Sequence, residues 1–70
     1  NWLEKARVRN DLAVTLHKLG DTATCRAVLQ PLAEDAKLTD AGVRENYPPS
    51  DADTYLPIVR ATRTNLKLCN

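Results

Sequence analysis

Several residue types that fill most small protein cores are missing or rare in this chain. It has no phenylalanine and no methionine, and its aromatic residues are one tryptophan and two tyrosines among 70 residues. Its apolar residues are therefore mainly leucine, valine and alanine. A chain of this length buries only about 60% of the surface that it exposes when unfolded. We expect one small domain over residues 1–70, with a thin core that a covalent link or a partner would stabilise.

An excess of one charge and a long apolar run are also absent. Ten basic and nine acidic residues give a net charge of +1, which argues against a general binder of polyanions. No apolar run approaches the ~20 residues that a membrane-spanning helix requires. The chain begins at Asn1 rather than at methionine and carries no basic, apolar leader. We therefore expect either a processed mature protein or an excised fragment.

The apolar residues that are present recur every three or four positions, which predicts helices and no strand. A first helix is expected over residues 2–19. Its buried stripe is predicted to contain Leu12, Leu16 and Leu19, with Val8 a turn earlier, and Ala6 and Ala13 are expected to widen that face. The spacing of the other apolar residues predicts two further helices, so the expected fold is all-α, a three-helix domain.

Gly20 is expected to end the first helix in the left-handed conformation, and a second helix is predicted over residues 22–37. Pro31 lies inside this segment and predicts a kink or an early break near Gln30, because proline removes a backbone donor and clashes with the preceding turn. The predicted apolar face of this helix comprises Cys25, Val28, Leu29, Leu32 and Ala36.

The third helix is predicted over residues 51–68, after a connecting segment in which residues 39–43 are expected to form one helical turn. Ser50 and Asp53 resemble a capping box at its start. Its apolar face is predicted to comprise Ala52, Tyr55, Leu56, Val59, Thr62, Leu66 and Cys69.

Small residues stand where the first two helices would touch. Ala13, Gly20 and Cys25 occupy the places at which the tetratricopeptide repeat carries small residues, and residues 5–37 resemble one such repeat, a helix-turn-helix unit of about 34 residues. Small residues at these places allow two helices to approach closely. The large apolar places of the repeat are held by Leu12, Leu16, Leu29 and Leu32.

The chain also departs from the repeat pattern. Arg9 stands where the family has tryptophan, Lys37 replaces the closing proline, and no second repeat follows. Arrays of this kind usually need about three units for stability, so the third helix would act as a cap or as a packing helix. The resemblance implies a scaffold that binds a peptide or a partner protein.

The two cysteines, Cys25 and Cys69, favour a disulfide. An even number of cysteines in a small domain with a weak core is typical of an exported protein, and a cysteine next to a fraying chain end is poorly explained by core filling. This predicts a periplasmic or secreted location. The alternative is two buried free thiols in a cytoplasmic protein.

Five residues are candidates for contact with a partner. Trp2, Tyr47 and Tyr55 are candidates because aromatic side chains dominate interface hot spots. Tyr47 lies in the longest loop and is better placed to fold back over the core. Arg60 and Arg63 lie with Lys67 on one side of the third helix, where they could contact phosphates or form an ordinary solvated face.

No catalytic, cofactor-binding or metal-binding residue is predicted. His17 is the only histidine and lies near a helix C-terminus, where the helix dipole favours its charge without any function. A nucleophilic pair with Cys25 would lack a third, orienting group. The spacing of the cysteines and the histidine does not match a structural zinc site. Asp51 and Asp53 are better explained by charge compensation at a helix N-terminus than by calcium.

The sequence thus predicts a non-enzymatic protein–protein interaction module, such as a small exported adaptor, inhibitor or chaperone-like protein. The alternative is the C-terminal repeat and capping helix of a longer cytosolic scaffold, in which an exposed apolar face of the first helix would stack against a preceding repeat. A third hypothesis is a small DNA-binding helical domain, and an enzyme ranks below these. The sequence leaves the partner and the oligomeric state open.

Overall fold

The computed structural model describes residues Asn1–Asn70 and contains only helices and their connections, which confirms the all-α fold. Two long helices and three shorter ones are joined by brief turns. They are α1 (Trp2–Lys18), α2 (Thr22–Leu29), a 3₁₀ turn (Gln30–Leu32), α3 (Ala33–Ala36), α4 (Asp40–Asn46) and α5 (Pro49–Leu68).

The α1–α2 hairpin forms where the sequence predicts it. The Asn1 side chain caps α1 by accepting a hydrogen bond from the Glu4 amide at 2.8 Å. Gly20 has φ +79°, which confirms the expected left-handed residue after the helix. The Asp21 side chain then caps α2 by accepting from the Thr24 amide at 3.1 Å. These local signals explain why the chain reverses direction here.

The second predicted helix is divided, as Pro31 indicates. After Leu29 the backbone tightens into the 3₁₀ turn Gln30–Leu32 and then resumes as the single-turn α3. The predicted break near Gln30 is therefore confirmed, whereas a continuous helix over 22–37 is not formed. The tighter turn accommodates a residue that has no backbone N–H to donate.

The segment before α5 differs from expectation in two places. The helix α4 has seven residues rather than one turn, and the Thr39 side chain caps it by accepting from the Gly42 amide at 3.0 Å. The predicted capping box of Ser50 and Asp53 is wrong: α5 already begins at Pro49, with no side-chain cap. Proline suits the first helical position, because its fixed φ is helical and its missing N–H would be unpaired there.

The core lies along α5 and divides into two apolar clusters. In the larger cluster, α5 packs on α1 and α4 through buried side chains of Ala6, Val43, Tyr55, Leu56, Ile58 and Val59. In the smaller cluster, the end of α5 packs on the α1–α2 hairpin through Ala13, Cys25, Leu29 and Cys69. The early residues of α1 thus meet the early part of α5, and the later residues meet its end, so the two helices run parallel.

A buried polar layer separates the two clusters. The Asn10 amide donates to Thr62 Oγ1 at 3.0 Å and to the Ala6 carbonyl at 3.0 Å, and the Asn65 amide donates to Asn10 Oδ1 at 2.9 Å. No buried side-chain nitrogen or oxygen lacks a partner. Since an unpaired buried polar group costs roughly 1–3 kcal/mol, this layer favours one register of α1 against α5.

Only part of the predicted apolar face of α1 is buried. The alanines of that face, Ala6 and Ala13, are buried together with Asn10, and Leu16 is half-buried against the smaller cluster. Leu12 and Leu19, by contrast, lie exposed on the other side of the helix. The helices approach closely at Ala13, whose carbonyl oxygen lies 3.1 Å from Cys25 Sγ, and small side chains allow this approach.

The structure brings Cys25 and Cys69 together as the sequence predicts. Their Cα atoms are 5.5 Å apart, in the range of a disulfide, and neither cysteine is free. Both residues are fully buried. Arg26 Nη2 donates to the Cys69 carbonyl at 3.1 Å and adds a second connection at the same place.

We expect the Cys25–Cys69 bond to supply a large part of the stability of this small fold. The two cysteines are 44 residues apart, and closing a loop of this length stabilises the folded state by about 4 kcal/mol through the entropy of the unfolded chain. Reduction, or the double substitution Cys25→Ala/Cys69→Ala, should therefore lower Tm by roughly 15–30 °C in thermal unfolding followed by circular dichroism. Reductant should have no effect on the double variant. A decrease of less than about 1 kcal/mol in the unfolding free energy on reduction of the wild type would contradict the prediction.

Candidate functional site

The residues that could carry acid–base or metal chemistry are not brought together. His17 is exposed near the end of α1, and its side chain takes part in no hydrogen bond. Cys25, its hypothetical nucleophilic partner, is bonded to Cys69. No three histidine, cysteine or acidic side chains are grouped to hold a metal ion. None of the helices has the length and apolar content that crossing a bilayer requires.

Trp2 lies far in the sequence from Tyr47 and Tyr55, yet the three aromatic residues form one cluster. The Trp2 and Tyr47 rings stack with their centroids 5.3 Å apart. Tyr55 meets both rings edge-on, at 4.8 Å from Trp2 and 5.0 Å from Tyr47. Offset and edge-on geometries are the favourable ones for aromatic pairs. The cluster therefore fastens the start of α1 and the segment before α5 to the side of α5.

Asp35 of α3 completes this cluster. The Tyr47 and Tyr55 hydroxyls both donate to Asp35 Oδ2, at 2.5 Å and 2.6 Å. Burial, together with these hydrogen bonds to a carboxylate, raises the pKa of Tyr47 to about 12. Burial and the same carboxylate also raise the pKa of Tyr55. Both phenols are therefore held in the protonated form that donates to Asp35.

The free surface of the three aromatic candidates is unequal. Tyr55 is 2% exposed, so its ring has no surface to offer to a partner. Tyr47 is half-buried and folds back onto the other two rings. Trp2 keeps 42% of its surface exposed and is the aromatic candidate with substantial access to a partner.

The arginine candidates are bound within the fold. Arg60 Nη2 and Arg63 Nη1 donate to the two oxygens of Asp40, at 2.7 Å and 2.8 Å. Hydrogen bonds from Arg60 and Arg63 lower the pKa of Asp40. Arg63 also donates to the carbonyls of Ala36 and Leu38, at 3.1 Å and 2.6 Å. Arg63 thus satisfies the carbonyls that end α3, a role that sequence reasoning does not find.

An exposed apolar surface runs along α1, on the side away from the core. Val8, Leu12 and Leu19 are 53%, 45% and 76% exposed, and we call these three residues the α1 stripe. Their spacing of four and seven residues places them on one side of the helix. Four of the five large apolar side chains that the protein exposes belong to α1 or its C-cap; they are Trp2, Val8, Leu12 and Leu19.

Charged side chains of both signs border the α1 stripe. By helical spacing, Glu4 and Asp11 lie along one flank and Lys5 and Arg9 along the other. A shallow groove of about 400 Å³ follows the first half of the stripe and is lined by Asn1, Glu4, Lys5, Val8, Arg9 and Leu12. This arrangement of an apolar strip between charged edges is typical of a surface that contacts an amphipathic helix.

The chain matches no protein-family model, no curated protein and no solved structure. The candidate surface is therefore defined by the geometry of this molecule alone.

The Asp35 cluster predicts a shift in tyrosine ionisation. Because the native pKa of Tyr47 is about 12 rather than 10, native Tyr47 keeps its proton where the unfolded chain loses it, so stability should fall as pH rises from 10 towards 12. In Asp35→Ala, the Tyr47 pKa should fall below the wild-type value and remain above 10, since burial is its first cause. NMR of the tyrosine Cζ carbons during an alkaline titration measures the Tyr47 pKa in the wild type and in the variant.

A matched control for Asp35→Ala is Glu34→Ala, which removes the neighbouring exposed acid. It should leave the tyrosine titration and the unfolding free energy almost unchanged, whereas Asp35→Ala should cost about 2–3 kcal/mol, because it leaves two phenol donors without a charged acceptor. Equal effects of the two substitutions would show that the Asp35 contacts do not stabilise the fold.

Proposed function

We propose that this chain is a non-enzymatic protein–protein interaction module and that the α1 stripe is its contact surface. The observation that carries the proposal is the position of the stripe: Val8, Leu12 and Leu19 are exposed although the fold buries alanine and asparagine on the opposite side of the same helix. Contiguous exposed apolar surface on a small protein commonly marks an interaction site.

The shape of the α1 stripe favours a helix as the partner element. From Val8 to Leu19 the stripe extends about 16 Å along the helix axis, and it is only one residue wide. The apolar face of a partner helix would cover such a strip, and its own charged residues would meet the edges that Glu4 and Arg9 form. Burying Val8 and Leu12, which line the groove beside the stripe, would supply most of the binding energy.

The paired cysteines support a location in an oxidising compartment. Disulfides persist in the bacterial periplasm and outside the cell and are rare in the cytosol. The proposal is therefore a periplasmic or secreted adaptor, inhibitor or chaperone-like protein that binds another protein. The hairpin with Ala13 and Cys25 at its contact resembles a tetratricopeptide repeat, and proteins of that family are typically binding scaffolds.

The same stripe favours one alternative, the C-terminal repeat of a longer cytosolic scaffold. In that case a preceding repeat of the same protein would cover Val8 and Leu12. The DNA-binding hypothesis has weaker support, because Asp40 already binds both Arg60 and Arg63.

The oxidation state of the cysteines in the cell separates the proposed exported module from the cytosolic alternative. We expect no reactive thiol when protein from its native compartment is denatured and alkylated without reductant, and two reactive thiols after reduction. Mass spectrometry of the alkylated chain counts them. Two free thiols before reduction would contradict export and would favour the cytosolic scaffold.

The double substitution Val8→Ser/Leu12→Ser tests the α1 stripe. Both side chains are about half exposed, so the change should alter folding stability by less than about 1 kcal/mol. It should weaken partner binding by about a hundredfold, because two apolar anchors are lost. Proteins that cross-link to the wild type but not to the variant are the candidate partners. Calorimetry with each purified candidate then measures its affinity for the wild type and for the variant.

The matched control is Leu68→Ser, which removes a side chain of similar exposure from α5. It should leave the affinity within about twofold of wild type. If the stripe variant binds the purified partner as tightly as wild type does, the α1 stripe is not the contact surface.

A further inference from the structure

A second surface, between α3 and α5, combines an apolar floor with a basic rim. It is a shallow groove of about 430 Å³. The half-buried residues Ala33, Ala36 and Leu66 form its floor, and Lys37, Arg63, Lys67 and Asn70 border it. It shares no residue with the α1 stripe or with the groove beside that stripe.

Two of the three cations of this groove, Lys37 and Lys67, have no strong acidic partner within the fold. Lys37 pairs only with the exposed Glu34, at 3.2 Å, and such surface pairs are weak. Lys67 takes part in no ion pair. Asp35, the other acid of α3, directs its carboxylate to the hydroxyls of Tyr47 and Tyr55. The two lysines therefore present positive charge that the fold leaves without a strong partner.

Arg63 contributes positive charge to the rim while it holds the groove in shape. Its guanidinium donates to the Ala36 and Leu38 carbonyls and to Asp40, so it fixes the end of α3 against α5. Asp40 carries one negative charge, and two arginines share it. Lys37 and Lys67 thus lie beside an apolar floor, an arrangement that suits an acidic ligand with an apolar side chain.

We infer that the α3–α5 groove binds an acidic segment of a protein, with carboxylates at Lys37 and Lys67 and an apolar side chain over Ala33, Ala36 and Leu66. The apolar floor favours such a segment over a free phosphate. A single-stranded nucleic acid is disfavoured because no aromatic ring lines the groove for stacking. This site lies beyond the proposed α1 stripe and does not depend on it.

The probe is a short peptide with two leucines at helical spacing and flanking glutamates, titrated into the ¹⁵N-labelled, disulfide-bonded chain. We expect amide shifts concentrated at Ala33, Ala36, Leu66 and Lys67. The same peptide with glutamine in place of glutamate should bind about tenfold more weakly, because two exposed charge contacts are lost. Lys37→Gln/Lys67→Gln should weaken binding of the acidic peptide by a similar factor.

The matched control is Arg7→Gln/Lys18→Gln, which removes the same charge from exposed positions of α1 that line neither groove and should change the affinity by less than about twofold. The inference would be overturned if the two peptides bound equally, if the two double variants had equal effects, or if the amide shifts centred on Val8 and Leu12. It would also be overturned if short duplex DNA bound at the groove more tightly than the acidic peptide and with a steep salt dependence. Each of these results leaves the Val8→Ser/Leu12→Ser test of the proposed function unaffected.

Discussion

The bond between Cys25 and Cys69 is the constraint on which the rest of this fold depends. It joins the first turns of α2 to the end of α5, and the two cysteines form half of a buried cluster whose other members are Ala13 and Leu29. Four side chains of this size bury too little apolar surface to hold a helix end by themselves. The covalent link holds it instead, and α1 is thereby packed against both α2 and α5.

The polar layer makes that arrangement specific. Ala6 and Ala13 are small and similar, so apolar packing alone would distinguish poorly between registers of α1 on α5. A shift by one turn would separate Asn10 from Thr62 and Asn65 and leave the Asn65 amide and the Asn10 side-chain oxygen without partners, at a cost of roughly 1–3 kcal/mol for each group. The layer thus selects the register. The disulfide holds the end of α5 against α2, and the contact of Trp2 with Tyr55 holds the start of α1 against α5.

Local signals in the sequence are sufficient for much of this structure. Gly20 and Asp21 predict the hairpin, Pro31 predicts the break after α2, and the pairing of Cys25 with Cys69 follows from their number and context. The aromatic cluster and the Asp40 ion pairs could not be predicted, because they join residues whose proximity depends on the path of the chain between α3 and α5. The predicted start of α5 at residue 51 is wrong because the helix begins at Pro49 without a side-chain cap. Proline suits the first helical position, so no capping residue marks this start in the sequence.

The buried face of α1 could not be chosen from periodicity, and the reason bears on function. This helix has two apolar faces: one carries Ala6 and Ala13, and the other carries Val8 and Leu12. Hydrophobicity favours burying the larger residues, but the close approach of α1 to α2 and α5 admits only the small ones. The small face of α1 therefore packs within the chain, where the disulfide and the polar layer hold it, and the α1 stripe remains in solvent. That exposed stripe is the surface on which the proposed function rests.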